Sequence, residues 1–126
     1  MKLLIDTHAF VWATIEPFRL SARVRDLIAD PENICLVSAV SAYEILFKRE
    51  NDAALRRLPE DLVQAVAQTD FEWLSIDVRH ASAAARLPRH HRDPWDRILI
   101  AQAMAEDADL VSADRRLSAY DARLIW

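Results

Sequence analysis

The sequence predicts an α/β protein, a three-layer α/β/α sandwich around a central, mainly parallel sheet of about five strands. Two observations predict it. Short apolar runs alternate with stretches whose apolar residues recur at helical spacing. Such alternation folds as a parallel sheet covered by helices on both faces. The chain has 126 residues, and at roughly 100–200 residues per domain that length makes one domain, residues 1–126, with one core.

The elements follow in order. Lys2–Ile5 reads as the first strand and Ala9–Ile15 as a helix that ends before Pro17. Ser21 is placed to cap a helix through Asp30, with Val24, Leu27 and Ile28 on one face and Pro31 as its stop. Ile34–Val37 is the second strand. Val40, Tyr43 and Phe47 recur at helical spacing and predict a helix from Ser41 to Glu50; Pro59-Glu60 opens another that buries Leu62, Val63 and Val66. Trp73–Ile76 is the third strand, and Asp77 caps a helix to Leu87. Pro88–Arg92 forms a basic loop. Asp93-Pro94-Trp95-Asp96 has the form of a helix start, with Asp at the cap and Pro at the first helical position, leading into Arg97–Glu106. Asp109–Ser112 is the fourth strand, Asp114 opens a short helical turn, and Arg123–Trp126 is the fifth strand.

Composition removes several functions. The longest apolar runs, such as Ile98–Ala101, are far shorter than the ~20 residues of a membrane span. The N-terminal apolar stretch ends at Asp6, too short for a secretory signal, so a cytoplasmic protein starting at Met1 is expected. The single cysteine, Cys35, supports neither a disulfide framework nor a thiolate metal site and reads as a small buried hydrophobe. Glycine is absent, which excludes the glycine-rich loops that cradle nucleotide phosphates. Net charge is −4 at pH 7, against a protein that coats nucleic acid by charge alone. Of the 16 basic residues only Lys2 and Lys48 are lysines. Arg79, Arg86, Arg89, Arg92 and Arg97 cluster with His80, His90 and His91, either as a solvated face or as a phosphate-contacting patch.

The chemistry-bearing residues are the acids that follow strands or open helices: Asp6, Glu44, Asp77, Asp93, Asp96 and Asp114. In a parallel sheet all strand C-termini share one edge, so residues just beyond them converge where open α/β folds bind ligands. Each acid alone also reads as a cap: Ser41 to Glu44 and Asp93 to Asp96 match capping boxes, and Asp6, Asp77 and Asp114 match simple N-caps. Carboxylates sharing one pocket repel and raise one another's pKa, and a compensating cation is then required. Hard oxygen donors select Mg²⁺ or Mn²⁺, and His90 and His91, adjacent and unable both to face one metal from a helix, read as loop residues. The chemistry that follows from a carboxylate-bound divalent ion is phosphodiester hydrolysis.

In its motifs the chain resembles the PIN-domain ribonucleases, and within them the VapC-type toxins of bacterial toxin–antitoxin pairs. The matching pieces are Leu3-Leu4-Ile5-Asp6-Thr7-His8-Ala9-Phe10-Val11-Trp12, Val37-Ser38-Ala39 leading into Tyr43-Glu44-Ile45, His91 to Ala103 with Asp93-Pro94-Trp95-Asp96-Arg97 inside it, Leu110 to Asp114, and Leu124-Ile125-Trp126. Together they run from residue 3 to 126. The resemblance implies four catalytic, metal-holding acids, Asp6, Glu44, Asp96 and Asp114. Asp93 supports Asp96 or caps its helix, and Ser112 bonds Asp6 or a water. Where the family usually has a glycine after the second acid's helix, this chain has Glu50-Asn51-Asp52-Ala53. The resemblance further implies a Mg²⁺- or Mn²⁺-dependent endoribonuclease that cuts RNA by water attack, forms a homodimer and is silenced by a cognate antitoxin. Arg89, Arg92 and Arg97 are the expected phosphate contacts. Phe10, Trp12, Phe18 and Phe47 are candidates for a protein interface, with core packing as the other reading. A non-catalytic binding module of the same fold is the alternative, and an acidic-pocket phosphatase a weaker one, because Asp6 is followed by Thr7-His8 rather than a second acid at Asp-x-Asp spacing.

Overall fold

A computed structural model describes residues 1–126. Five strands, β1 (Lys2–Ile5), β2 (Ile34–Ser38), β3 (Phe71–Leu74), β4 (Asp109–Val111) and β5 (Leu124–Ile125), form one sheet in the order β3-β2-β1-β4-β5. Every neighbouring pair is parallel. The central strands are apolar on both faces because both faces are covered. Leu3 and Ile5 turn to one helical layer and Leu4 to the other.

On the first face, α1 (Thr7–Ile15), α2 (Ala22–Ala29) and α4 (Leu62–Ala67) set Phe10, Val24, Leu62 and Val66 against Leu3, Ile5, Val37 and Val111. On the second, α6 (Pro94–Ala105) sets Leu99, Ile100 and Ala103 against Leu4, Leu36 and Leu110. Helix α5 (Val78–Arg86) is tied to α6 through buried His80, whose ring bonds Glu106 at 3.0 Å. Helix α3 (Ala39–Lys48) gives Ile45 to the first core and Val40 to the second. The three-layer α/β/α architecture is therefore the expected one. Cys35 is a buried free thiol in the first core.

Several boundaries differ from expectation for local reasons. Helix α3 starts at Ala39, not Ser41, because Ser38 at the end of β2 already caps it, accepting the Val40 N–H at 3.1 Å. Strand β3 pairs Phe71 with Cys35, which leaves Ser75 and Ile76 as the approach to the Asp77 cap. Helix α4 opens at Leu62 with Asp61 as its cap, and Val63 is 70% exposed rather than buried. Phe10 is core, whereas Phe18 and Phe47 are exposed and Trp12 is partly buried against Trp126. Short 3-10 turns at Pro17–Arg19 and Ala53–Arg57 were not legible in the periodicity.

With no glycine available, one residue takes a left-handed backbone: Asp107, with φ of 51°. It follows α6, where the Ala108 N–H returns to the Ala103 carbonyl at 2.9 Å and closes the helix end.

Leu4 lies on the middle strand, fully buried in the second core. Leu4→Ala is expected to cost about 2–5 kcal/mol of stability, read as a lower denaturation midpoint with an unchanged m-value. A loss below about 1 kcal/mol would mean the layer above β1 repacks.

Candidate active site

The sheet order places a topological switch point between β1 and β4, since the chain builds outward from β1 to β3 and returns to the other side for β4. Register makes the site. Ile5 is level with both Val37 and Val111, so Asp6, Ser38 and Ser112 emerge side by side at the C-terminal edge.

Asp6 caps α1, its Oδ1 accepting the Ala9 N–H at 2.8 Å, and is 6% exposed. Burial drives its pKa from 3.8 up to about 6. The Ser112 hydroxyl, the Ala9 N–H and His8 act against that rise, and the charge of Asp96 adds to it. Glu44 is equally buried, in the middle of α3, and its Oε2 takes the Lys48 ammonium at 2.6 Å. It is not a capping residue, because Ser41 bonds Thr7 across the α1–α3 contact at 2.9 Å instead of capping α3. Asp96 stands in the first turn of α6, where burial raises its pKa, His91 opposes the rise, and Asp93 and Glu44 add to it. It does not close a capping box either; its Oδ2 is 2.7 Å from His91 Nε2. Asp93 is the cap, accepting the Trp95 N–H at 2.9 Å.

Asp96 thus sits close enough to Asp6, Glu44 and Asp93 for their charges to interact with its own. Asp114 stands at the margin. Arg116 grips both of its oxygens at 2.7 to 3.2 Å and holds its pKa below the usual carboxylate range. Ser112 bridges the two ends of the site: its hydroxyl accepts the Asp114 N–H at 3.1 Å while favouring the Asp6 carboxylate.

The arginine expectation divides. Arg89 and Arg92 are exposed and line a cavity of about 430 Å³ with Ala85, His91 and Arg97. Arg97 is not free for phosphate: its guanidinium is bound by main-chain carbonyls of residues 84, 87, 88 and 91. Two residues of the site escaped sequence reasoning. Lys48 lies one helical turn after Glu44, a spacing that signals an ion pair. His91 does belong to a loop, but that loop turns back onto Asp96.

The donor set suits a hard divalent cation. Asp6 and Asp96, whose proton affinity is raised by burial, are groups such an ion stabilises, and with Glu44 they are the carboxylates that could hold it. The tightest group of such donors is His91, Asp93 and Asp96, whose oxygen and nitrogen atoms lie within 4.8 Å of one another.

Fold and pocket together define an α/β protein with a carboxylate cluster at the switch point of a parallel sheet. Residues 3–123 match the family model of the PIN domain, and the chain belongs to that family. It is 29% identical over 120 residues to ribonuclease VapC22 of Mycobacterium tuberculosis, spanning 94% of this chain and 91% of that protein. Among solved structures it is similar to VapBC2 from Rickettsia felis bound to a promoter DNA fragment, with TM-score 0.77 and 16% identity over 100% of this chain and 99% of that one. A toxin–antitoxin complex from Klebsiella pneumoniae superimposes with TM-score 0.65 and 16% identity, covering 98% and 96% of the respective chains. At these identities the structures share the fold.

Because the folded-state pKa of Asp6 lies above its ordinary value, the folded protein binds more protons than the unfolded chain between pH 3.8 and about 6. Stability therefore falls as pH rises through that window, and the cost is complete above it. Asp6→Asn keeps a capping side chain. In chelator the variant is expected to be more stable than the parent at neutral pH, with the gain vanishing near pH 4 in denaturant titrations. A gain of equal size at both pH values would exclude the carboxylate's charge as its source.

Proposed function

We propose that this chain is a metal-dependent endoribonuclease of the VapC type, a single domain over residues 1–126 that is held inactive by a cognate antitoxin. The observation that carries the reading is the meeting of buried Asp6 and Glu44 with Asp96 at the switch point, with Lys48 as the one lysine beside them. The name of the Mycobacterium relative and the toxin–antitoxin nature of the structural neighbours support it. No helix is long and apolar enough to cross a membrane, and we place the protein in the cytoplasm with its RNA.

Asp6, Glu44 and Asp96 would hold Mg²⁺ or Mn²⁺, with Asp114 completing the acidic rim. When bound, the ion supplies charge neutralisation for the acids, orientation and acidification of the attacking water, and compensation of the charge that builds on the phosphoryl oxygens. The chain's own residues prepare the place. The Ala9 N–H fixes the Asp6 carboxylate and the Ser112 hydroxyl favours its charged form, Lys48 offsets the charge of Glu44, and Arg89 and Arg92 offer uncommitted guanidinium groups to flanking phosphates. A groove of about 310 Å³ opens from Glu44 between Trp12, Arg19, Lys48 and Leu55. We assign it to the antitoxin segment that reaches the acids. Tyr43 and Phe47 stack at 6.0 Å on the outside of α3, more than half exposed, and form the face we assign to the homodimer.

Protein freed of any partner is expected to cleave labelled RNA with Mg²⁺ or Mn²⁺, to stop in chelator, and to leave small phosphomonoesters intact. Asp6→Asn should reduce cleavage to background with the circular dichroism of the parent. Undiminished cleavage by that variant in excess chelator would falsify the proposal.

Arg92→Ala is expected to weaken RNA binding at low salt and to reduce the slope of log K against log salt by about 0.7–1, the release of roughly one counterion. An unchanged slope removes Arg92 from the phosphate path.

A further inference from the structure

Arg97, the residue after Asp96, carries a guanidinium committed mainly to main-chain oxygens, with the Tyr120 hydroxyl a further acceptor at 3.5 Å. Its Nη2 donates to the carbonyls of Ala84 and Leu87 at 2.8 and 2.9 Å, and its Nη1 to those of Pro88 and His91 at 2.9 and 3.2 Å. Tyr120 joins from the other side, its hydroxyl donating to the Pro88 carbonyl at 3.1 Å. The physical reason is plain. Ala84 lies in the last turn of α5, at the negative end of its dipole, and the Leu87, Pro88 and His91 carbonyls follow it, so one planar cation gathers the helix end and the chain leaving it.

The result is a cinch between two helices. The end of α5 and the start of α6 are drawn onto one side chain, and the intervening segment from Pro88 to Arg92 must fold back over α6. That return brings the His91 ring to Asp96, Nε2 to Oδ2 at 2.7 Å, with the ring largely sheltered from solvent. An ionised carboxylate can only accept, so the imidazole supplies the hydrogen. A carboxylate rotates readily about its last torsion. With Oδ2 held by His91, the Asp96 plane is set and Oδ1 is left for another partner.

We infer that His91 is a positioning residue that aims the Asp96 carboxylate at the cation, and that Arg97 acts through His91 by holding its loop rather than by touching RNA. The inference rests on the metal-dependent reading above and goes beyond it by assigning two residues outside the acid set.

Manganese binding without RNA is the direct test, followed by electron paramagnetic resonance and calorimetry on the intact protein, with steady-state RNA cleavage alongside. His91→Leu is expected to weaken Mn²⁺ binding by about 10–100-fold and to lower kcat similarly at unchanged KM, as removal of a ligand's orienting partner does. His91→Gln, which retains an N–H donor at comparable reach, should recover most of both. Arg97→Met should lower Mn²⁺ affinity in the same direction and speed amide exchange across residues 87–92, with Arg97→Lys regaining part of the loss. Mn²⁺ affinity of His91→Leu equal to that of the parent, or a glutamine variant no better than leucine, overturns the inference while leaving the nuclease reading intact. A nitrogen coupled directly to Mn²⁺ and lost in His91→Gln also overturns it, making His91 a ligand instead. Absence of Mn²⁺ binding by the parent protein strikes the metal-dependent reading itself.

Discussion

The rest of the structure depends on one register constraint: Ile5 lies level with Val37 on one side and Val111 on the other. That alignment delivers Asp6, Ser38 and Ser112 to a common edge and lets α3 and α6 bring Glu44 and Asp96 over them. Carboxylates buried there oppose folding, and the pKa of Asp6 and Asp96, raised first by burial and then by neighbouring acids, is the mark of that opposition. Two apolar cores, one on each face of the sheet, hold the arrangement in place. The site is thus a locally unfavourable cluster imposed by a globally favourable sheet, the usual relation between a reactive centre and its scaffold.

The strands were legible because fully covered parallel strands are short, apolar and bounded by caps, and Leu3-Leu4-Ile5 and Leu110-Val111 carry that pattern without ambiguity. Helix starts were harder. Ser38 and Ser41 are both good caps, and what chooses between them is Thr7, distant in sequence, which engages the Ser41 hydroxyl. Val63 misled for a different reason: a six-residue helix is too short for periodicity to distinguish its faces. The acids were legible as a set because topology gathers strand ends, but the pairing of Asp114 with Arg116 was not, since a two-residue spacing carries no helical signal. His91 was hidden by its neighbour. Two adjacent histidines read as loop, whereas in the fold His91 turns onto Asp96 and His90 packs its ring against Tyr120.

Arginine count overstated the capacity for nucleic acid. Arg57, Arg79, Arg116 and Arg123 bond to carboxylates, Arg97 to carbonyls, and Arg19 both pairs with Glu16 and lies 4.6 Å from the Trp12 ring centre. Their planar forks serve internal recognition as well as phosphate. With a net charge of −4, attraction for a polyanion rests on where the uncommitted guanidinium groups lie, not on how many there are. Arg89 and Arg92 lie beside His91, at the flank of the acids.

The single left-handed residue, Asp107, in a chain with no glycine has a bearing on the denatured ensemble. Glycine contributes the widest backbone freedom to a disordered polypeptide, and every position here carries a β-carbon that narrows the conformations available before folding. The entropy surrendered on ordering is correspondingly smaller per residue. Part of this molecule's persistence is therefore written into how little its random coil can wander, a contribution that no inventory of native contacts would reveal.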